Sequence, residues 1–256
     1  MELSEMLNRI DKTKEEIDKR RPLSMHEVRQ LDAYFRIGTT YATNAIEGNS
    51  LTLTETKVLL ENGITIGGKP ISECYEAIGH AEAYDYMIEI ARGNPLVITK
   101  EMIMQLHKLF YARIDLENAG RYRNERVFIT GTQYIPPQPD EIPRQMDMFL
   151  KALYEKWEDT HPVLLAAYAH KTLVDIHPFV DGNGRTARLL MNMIIVNRGY
   201  QIITIPPILR TEYINALESA RRTNPLHMVA FDKFIAECEI EAQKDYCRMF
   251  QITPAF

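Results

Sequence analysis

The chain has 256 residues, 45% hydrophobic and 25% charged, an ordinary globular balance whose core needs no disulfide or metal staple. The formal net charge of −5 argues against a general nucleic-acid binder, which carries a basic excess. The three cysteines, Cys74, Cys238 and Cys247, are odd in number and form no C-x-x-C pair, which argues against a zinc ribbon and fits free thiols in a reducing, cytoplasmic setting.

In chain order, Leu3, Met6, Leu7, Ile10 and Ile17 recur at helical spacing, and acids at Glu2 and Glu5 stand where a signal peptide carries base. Pro22 interrupts. Ser24 and Glu27 then form a capping box ahead of the apolar stripe Met25, Val28, Leu31, Tyr34 and Phe35. Thr52 and Glu55 repeat the device before Val58, Leu59 and Leu60, and Asn62-Gly63 ends that helix. A long helix is expected from about Ser72 to Arg92, stopped by Gly93-Asn94-Pro95. Thr99 caps the next, with Ile103, Leu106 and Phe110. Gly120 to Pro139 lacks helical periodicity. There Val127-Phe128-Ile129-Thr130 and Gln133-Tyr134-Ile135 flank Gly131-Thr132 and predict a short hairpin closed by Pro136-Pro137. Helices are expected again over 141–157, 162–174, 184–198 and, from the cap-then-proline pair Asn224-Pro225, to about Tyr246. The most apolar run, Leu189 to Val196, is broken by Asn192 and is too short to span a bilayer. The expected fold is all-α with a small β-hairpin flap.

Asp175 to Arg188 departs from every core pattern around it. Gly182-Asn183-Gly184 immediately precedes an apolar helix, where glycines let backbone approach a ligand and the helix N-terminus offers unpaired N–H groups to an anion. Arg185 and Arg188 fall in the first turn, where the dipole disfavours cations unless a polyanion compensates. Asp181 beside a phosphate cradle suits Mg²⁺, which is held by one or two carboxylates plus phosphate oxygens. His177, with an ordinary pKa near ~6.5, suits a general base for a hydroxyl. His177-x-x-x-Asp181 lacks a third ligand nearby and does not read as a hydrolytic metal site. The spacing supports phosphoryl or nucleotidyl transfer without choosing between them. His26, His80, His107, His161, His170 and His227 read as structural, and Met191 to Met193 as core beneath the site.

The segment resembles the signature of the Fic family, H-x-F-x-(D/E)-G-N-G-R-x-x-R, with every fixed position present. The resemblance implies an all-α Fic domain over 41–240, with N-terminal helices over 1–40 packed on it and a C-terminal tail over 241–256. It implies a protein adenylyltransferase that uses ATP and Mg²⁺ and modifies a Tyr, Ser or Thr hydroxyl of a protein, which can be the enzyme itself. In that scheme His177 is the base, Phe179 the buried anchor of the loop and Asp181 the Mg²⁺ ligand. Gly182, Asn183 and Gly184 form the anion hole, Arg185 contacts the β-phosphate and Arg188 clamps the γ-phosphate. Relatives that phosphorylate carry lysine at the position of Gly184, so glycine favours AMP transfer. Thr43-Asn44-Ala45-Ile46-Glu47-Gly48 is similar to the family's inhibitory motif (S/T)-x-x-x-E-(G/N), whose glutamate pairs with the last arginine of the signature.

The resemblance makes Val127 to Tyr134 a target-docking flap that pairs with the target's backbone. It makes Tyr213 a residue of the adenine pocket, while Arg221 stands where relatives carry asparagine, which leaves base recognition open. Pairing into a homodimer is common among relatives of this arrangement. No nucleic acid and no membrane is implied. Transfer of UMP or GMP, removal of AMP from a modified target, and a nucleotide-sensing interaction module are the alternatives. Intact His177 and Asp181 speak against the last, since binding alone requires no base.

Overall fold

The computed structural model describes residues 1–65, 67–129, 132–221 and 228–255. Its helices are α1 (Leu3–Asp18), α2 (Met25–Ile46), α3 (Leu53–Asn62), α4 (Ile71–Ala91), α5 (Lys100–Tyr111), α6 (Ile142–Glu155), α7 (Pro162–Ile176), α8 (Asn183–Asn197), α9 (Arg210–Arg221) and α10 (Met228–Phe250). Two 3₁₀ turns, Pro139–Glu141 and Pro207–Leu209, lead into α6 and α9. The expected caps are in place. Ser24 and Thr52 accept from the Glu27 and Glu55 N–H groups in reciprocal capping boxes, and Thr99 accepts from Met102 N–H. Gly63 closes α3 in the left-handed conformation, with φ 66°. Asn224-Pro225 and His227 lie outside the described residues.

Helix α8 is the axis of the fold and packs against α7, α4, α5 and α2. Its Leu189, Leu190, Met191, Met193, Ile194 and Ile195 are all buried, each contributing about 1.5–3 kcal/mol of burial. That explains the apolar run from Leu189 to Val196: a helix enclosed on all sides has no polar face to show. Asn192, which breaks the run, is buried too. Its amide donates to the Ile203 carbonyl at 2.9 Å and accepts from Ile203 N–H at 2.8 Å, so the polar group is satisfied by the extended segment after α8.

The N-terminal helix is part of the core. Met6, Ile10 and Ile17 of α1 are buried, and α1 packs along α10. The expected divisions at 40/41 and 240/241 fall inside α2 and α10, each unbroken there. The hairpin expectation needs correction. Among the described residues of 120–139 there is no strand, and Thr130 and Gly131 lie outside them. A lone two-stranded ribbon is marginal in water, and Pro136, Pro137 and Pro139 supply no backbone donors. The excursion is tied down by side chains instead. Arg123 donates to the carbonyls of Glu125 (2.8 Å) and Pro137 (2.6 Å), and Tyr134 Oη donates to the Asp175 carbonyl at 3.1 Å. The three cysteines are free and buried. Among the described residues no helix is long and apolar enough to cross a membrane.

Candidate active site

The signature loop joins the C-terminus of α7 to the N-terminus of α8. His177 caps α7 with φ 50°, a left-handed backbone that costs a side-chain-bearing residue energy and is held here by its surroundings. Its N–H donates to the Leu173 carbonyl at 3.0 Å, and its own carbonyl accepts from Arg123 Nε at 2.8 Å. The imidazole Nδ1 lies 3.2 Å from the Val174 carbonyl, an acceptor only, so Nδ1 carries the proton and Nε2 holds a lone pair. Burial holds the His177 pKa below its ordinary 6.5, and the cations Arg123 and Arg221 add to this against the opposing Val174 and Asp181.

Phe179 anchors the loop. It is fully buried and stacks on the His107 ring at 3.8 Å. Its N–H donates to Asn183 Oδ1 and its carbonyl accepts from Asn183 Nδ2, both at 2.9 Å, which closes the loop on the helix start. His107 completes the brace. Its Nδ1 accepts from Gly120 N–H at 2.9 Å, so its Nε2 must be the donor to the Asp181 carbonyl at 3.0 Å. Burial first, and Arg185 second, push its pKa down to about 4, so this tautomer persists at neutral pH. Gly182 has φ 75°, and a Cβ there would lie 2.6 Å from Phe110 Cε1, so both backbone and space demand glycine.

The two arginines at the start of α8, Arg185 in its first turn and Arg188 in its second rather than its first as the sequence suggested, go to different places. Arg188 is buried and ringed by partners: Nε donates to Thr43 Oγ1 at 2.6 Å, Nη1 to Tyr213 Oη at 3.2 Å, and Nη2 to the Thr43 carbonyl at 3.3 Å and to Glu47 Oε1 at 2.5 Å. Burial raises the Glu47 pKa and Arg188 lowers it, with Arg188 prevailing, so Glu47 stays ionised. Gly184 makes room for this carboxylate, since a Cβ there would come within 2.6 Å of Glu47 Oε1. Gly48, with φ 100°, lets the chain turn away directly after Glu47. Tyr213 Oη also meets His170 Nε2 at 3.0 Å. Burial drives the His170 pKa far down, so this ring is neutral. Arg185, by contrast, is wedged over the Phe110 ring at 4.2 Å with Nη1 3.1 Å from Glu76 Oε1 and Nη2 3.1 Å from Asp181 Oδ2.

A cavity of about 160 Å³ brings together His177, Asp181, Gly182, Asn183, Gly184, Arg188, Tyr213 and Glu47, with Ile129 and Thr132 from the flap. Arg185 is not among its walls. Thr43 stands behind the cavity on Arg188. Val127 and Phe128 line a separate depression with Ile135, and Phe128 is 83% exposed. Thr132 Oγ1 donates to Glu218 Oε2 at 2.8 Å and accepts from Tyr134 N–H at 2.9 Å. Arg221 lies at the same mouth, with Nε 2.8 Å from Asp175 Oδ1, a second contact to Glu218, and its guanidinium over the Tyr134 ring. Gln133 lies on the flap between them.

Sequence reasoning missed Arg123, the bracing role of His107, and Glu76. Arg123 shares its stretch with Arg121 and Arg126, and nothing local sets it apart. Among the described residues no three His, Cys, Asp or Glu side chains gather to hold a metal. Asp181, 61% exposed at the side chain, is a single open carboxylate. That donor set fits Mg²⁺ completed by phosphate oxygens and water, and does not fit a protein-enclosed ion.

Residues 97–195 match the model of the Fic/DOC family. The chain is 38% identical over 208 residues to Protein adenylyltransferase Fic of Drosophila persimilis, covering 81% of this chain and 39% of that protein. It is 36% identical over 236 residues to Protein adenylyltransferase Fic of Nematostella vectensis, covering 91% and 54%. Among solved structures, Fic-1 from C. elegans (residues 134–508) is similar with a TM-score of 0.88 and 28% identity, over 97% of this chain and 73% of that one. The chain thus spans about half the length, or less, of the curated relatives it matches.

Proposed function

Because the chain belongs to the Fic/DOC family, we propose that it transfers AMP from ATP to a protein hydroxyl and releases pyrophosphate. One observation carries this: the free Nε2 of a neutral His177, an open carboxylate, the N-terminus of α8 and the Arg188 guanidinium face one cavity. A binding module would need the last two and not the first.

The chemistry follows from the geometry. His177 Nε2 takes the proton of the target hydroxyl as that oxygen bonds to the α-phosphorus. The bond from the α-phosphorus to the bridging oxygen breaks, and pyrophosphate leaves with its electron pair. The first N–H groups of α8 have no helical acceptor and meet the developing phosphate charge. Asp181 would hold Mg²⁺, which neutralises phosphate charge when bound. Arg188 binds the terminal phosphate, and Tyr213 fixes its guanidinium. Arg185 reaches phosphate only after leaving Asp181.

The same geometry supports autoinhibition. Glu47 satisfies Arg188 as a phosphate oxygen would, and a cavity of about 160 Å³ falls below the roughly 300–1,000 Å³ of small-molecule sites. ATP therefore binds productively once Glu47 withdraws. The target is a protein with a Tyr, Ser or Thr hydroxyl near the flap, or a second copy of the enzyme, and cytoplasmic residence belongs to the same proposal. Glu47 Oε2, which carries no partner among the described residues, favours one second reading: a water positioned there removes AMP from the modified target. Release of AMP by wild type but not by Glu47→Gly supports it, and no release from either rejects it. The primary test compares wild type, Glu47→Gly and His177→Ala with labelled ATP and Mg²⁺. Expected are a faster Glu47→Gly and an inactive His177→Ala that still binds ATP. Equal rates for wild type and Glu47→Gly would end the autoinhibition proposal.

A further inference from the structure

Glu76 belongs to α4, outside both the signature and the inhibitory motif, yet it touches a residue of the first and a neighbour of the second. Its Oε1 lies 3.1 Å from Arg185 Nη1. Its Oε2 accepts from Asn49 Nδ2 at 2.8 Å. Asn49 is the second residue after Glu47, and its hydrogen bonds define the turn that ends α2. Its N–H donates to the Asn44 carbonyl at 3.0 Å, its Oδ1 accepts from Leu51 N–H at 2.9 Å, and its Nδ2 also donates to the Glu73 carbonyl at 3.0 Å. Ser50 is strapped to α4 as well, with its N–H (3.0 Å) and Oγ (2.7 Å) both donating to Glu73 Oε2.

The other end of the bridge is equally fixed. Arg185 is 3% exposed at the side chain and has little freedom: Phe110 lies under it, Asp181 takes Nη2, and Asn44 Oδ1 is 3.4 Å from Nη1. Helix α4 packs against both α2 and α8, and a Cβ at Gly79 would collide with the Phe110 carbonyl, so α4 lies close on α5. A short carboxylate on such a frame cannot follow one partner without pulling on the other. Charge-assisted hydrogen bonds of this kind are directional and roughly twice as strong as neutral ones.

We propose that Glu76 is a positioning residue that ties the turn after Glu47 to Arg185 and so sets how firmly Glu47 occupies Arg188. The inference rests on the reading of Glu47 as an inhibitory group. Arg188 holds the tip of the Glu47 side chain, and Glu76, through Asn49, holds the backbone from which it projects. Cutting the tie at either end lets the turn open and Glu47 swing out, with no residue of the cavity altered.

Two substitutions cut it at different places. Glu76→Gln keeps an acceptor for Asn49 but sets an amide N–H against Arg185. Asn49→Ala keeps the Arg185 pair and frees the turn. Each is expected to raise AMP transfer about three- to tenfold over wild type, within the lower part of what coupling between contacting residues sustains. The double variant should be no faster than Asn49→Ala alone, because that substitution already cuts the tie that runs through Glu76. In a Glu47→Gly background neither should change the rate. Hydrogen exchange gives a readout independent of activity: the amides of residues 47–50 should exchange about tenfold faster in both single variants, as local opening is made easier. Unchanged exchange in either variant overturns the proposal, and so does a rate that falls in the Glu47→Gly background, which would mean that Glu76 acts on Arg185 alone. If Glu47→Gly is itself no faster than wild type, the inhibitory reading has failed, and the exchange result still decides whether the tie exists.

Discussion

Replacing Glu47 with alanine should trade stability for nucleotide response. Alanine suits the backbone of this cap residue, φ −86° and ψ 0°, so the loss is confined to the side chain. Arg188 is 4% exposed, and removing the partner of a fully buried charge costs about 3–5 kcal/mol. Glu47 is 35% exposed at the side chain, and Arg188 keeps Thr43 and Tyr213, so solvent screening brings this to about 1–3 kcal/mol. For a chain of this size each kcal/mol moves Tm by roughly 2–4 °C, so the variant should melt about 2–12 °C below wild type. ATP at a hundredfold its Kd returns ~2.7 kcal/mol, about 5–10 °C, to the variant. Wild type gains markedly less, because phosphate must first displace Glu47. The lowered pKa of Glu47 gives the pH dependence its sign. A carboxylate depressed on folding contributes stability above its unfolded pKa and loses it as pH falls through the folded one. The gap between wild type and Glu47→Ala is therefore full at neutral pH and closes below about 4.5, the ordinary value. Thermal unfolding with and without ATP, at neutral and acid pH, measures all of this. Equal ATP-induced shifts in the two proteins would refute the idea that Glu47 and phosphate compete for Arg188.

Since burial holds the His177 pKa below 6.5, the acid limb of the rate profile of Glu47→Gly should have its midpoint below pH 6.5. A midpoint above that value would place the proton on another group. Phe179→Ala removes a fully buried ring from the loop anchor and should cost about 3–5 kcal/mol of stability, read by denaturant melts. Gly182→Ala forces φ 75° on a residue with a Cβ and drives it into Phe110. It should lower stability by about 1–3 kcal/mol and abolish transfer. Tyr213→Phe removes the hydroxyl between Arg188 and His170. It should weaken ATP binding by calorimetry about tenfold or more, the worth of one hydrogen bond to a charged group at about 1.5–3 kcal/mol.

The helices were legible wherever a cap and a periodic stripe agreed. Ser24, Thr52 and Thr99 open their helices and Gly63 closes one as read, because these devices are local. The enclosure of α8 was visible only as a missing period, since a helix buried on all sides looks like any apolar run. The flap was misread as a ladder because alternating Val127, Ile129 and Tyr134 mimic strands. What holds it is Arg123 and Asp175, and Asp175 lies far along the chain. Within the site, the spacing of residues 177–188 foretold a loop on a helix N-terminus. It did not foretell that Arg185 would turn from the cavity toward Glu76, because that carboxylate comes from another helix. His107 was read as structural, and it is, but only the fold shows that it braces Asp181.

AMP transfer by His177 under restraint from Glu47 is the proposal on which the other expectations depend. Mass spectrometry and α-labelled against γ-labelled ATP, applied to Glu47→Gly with Mg²⁺ and candidate target proteins, test it most directly. The α-label, and not the γ-label, should become covalently attached to a hydroxyl with release of pyrophosphate. Attachment should be faster than with wild type and should be lost in Glu47→Gly/His177→Ala. Attachment of the γ-label, or undiminished labelling without His177, would contradict it.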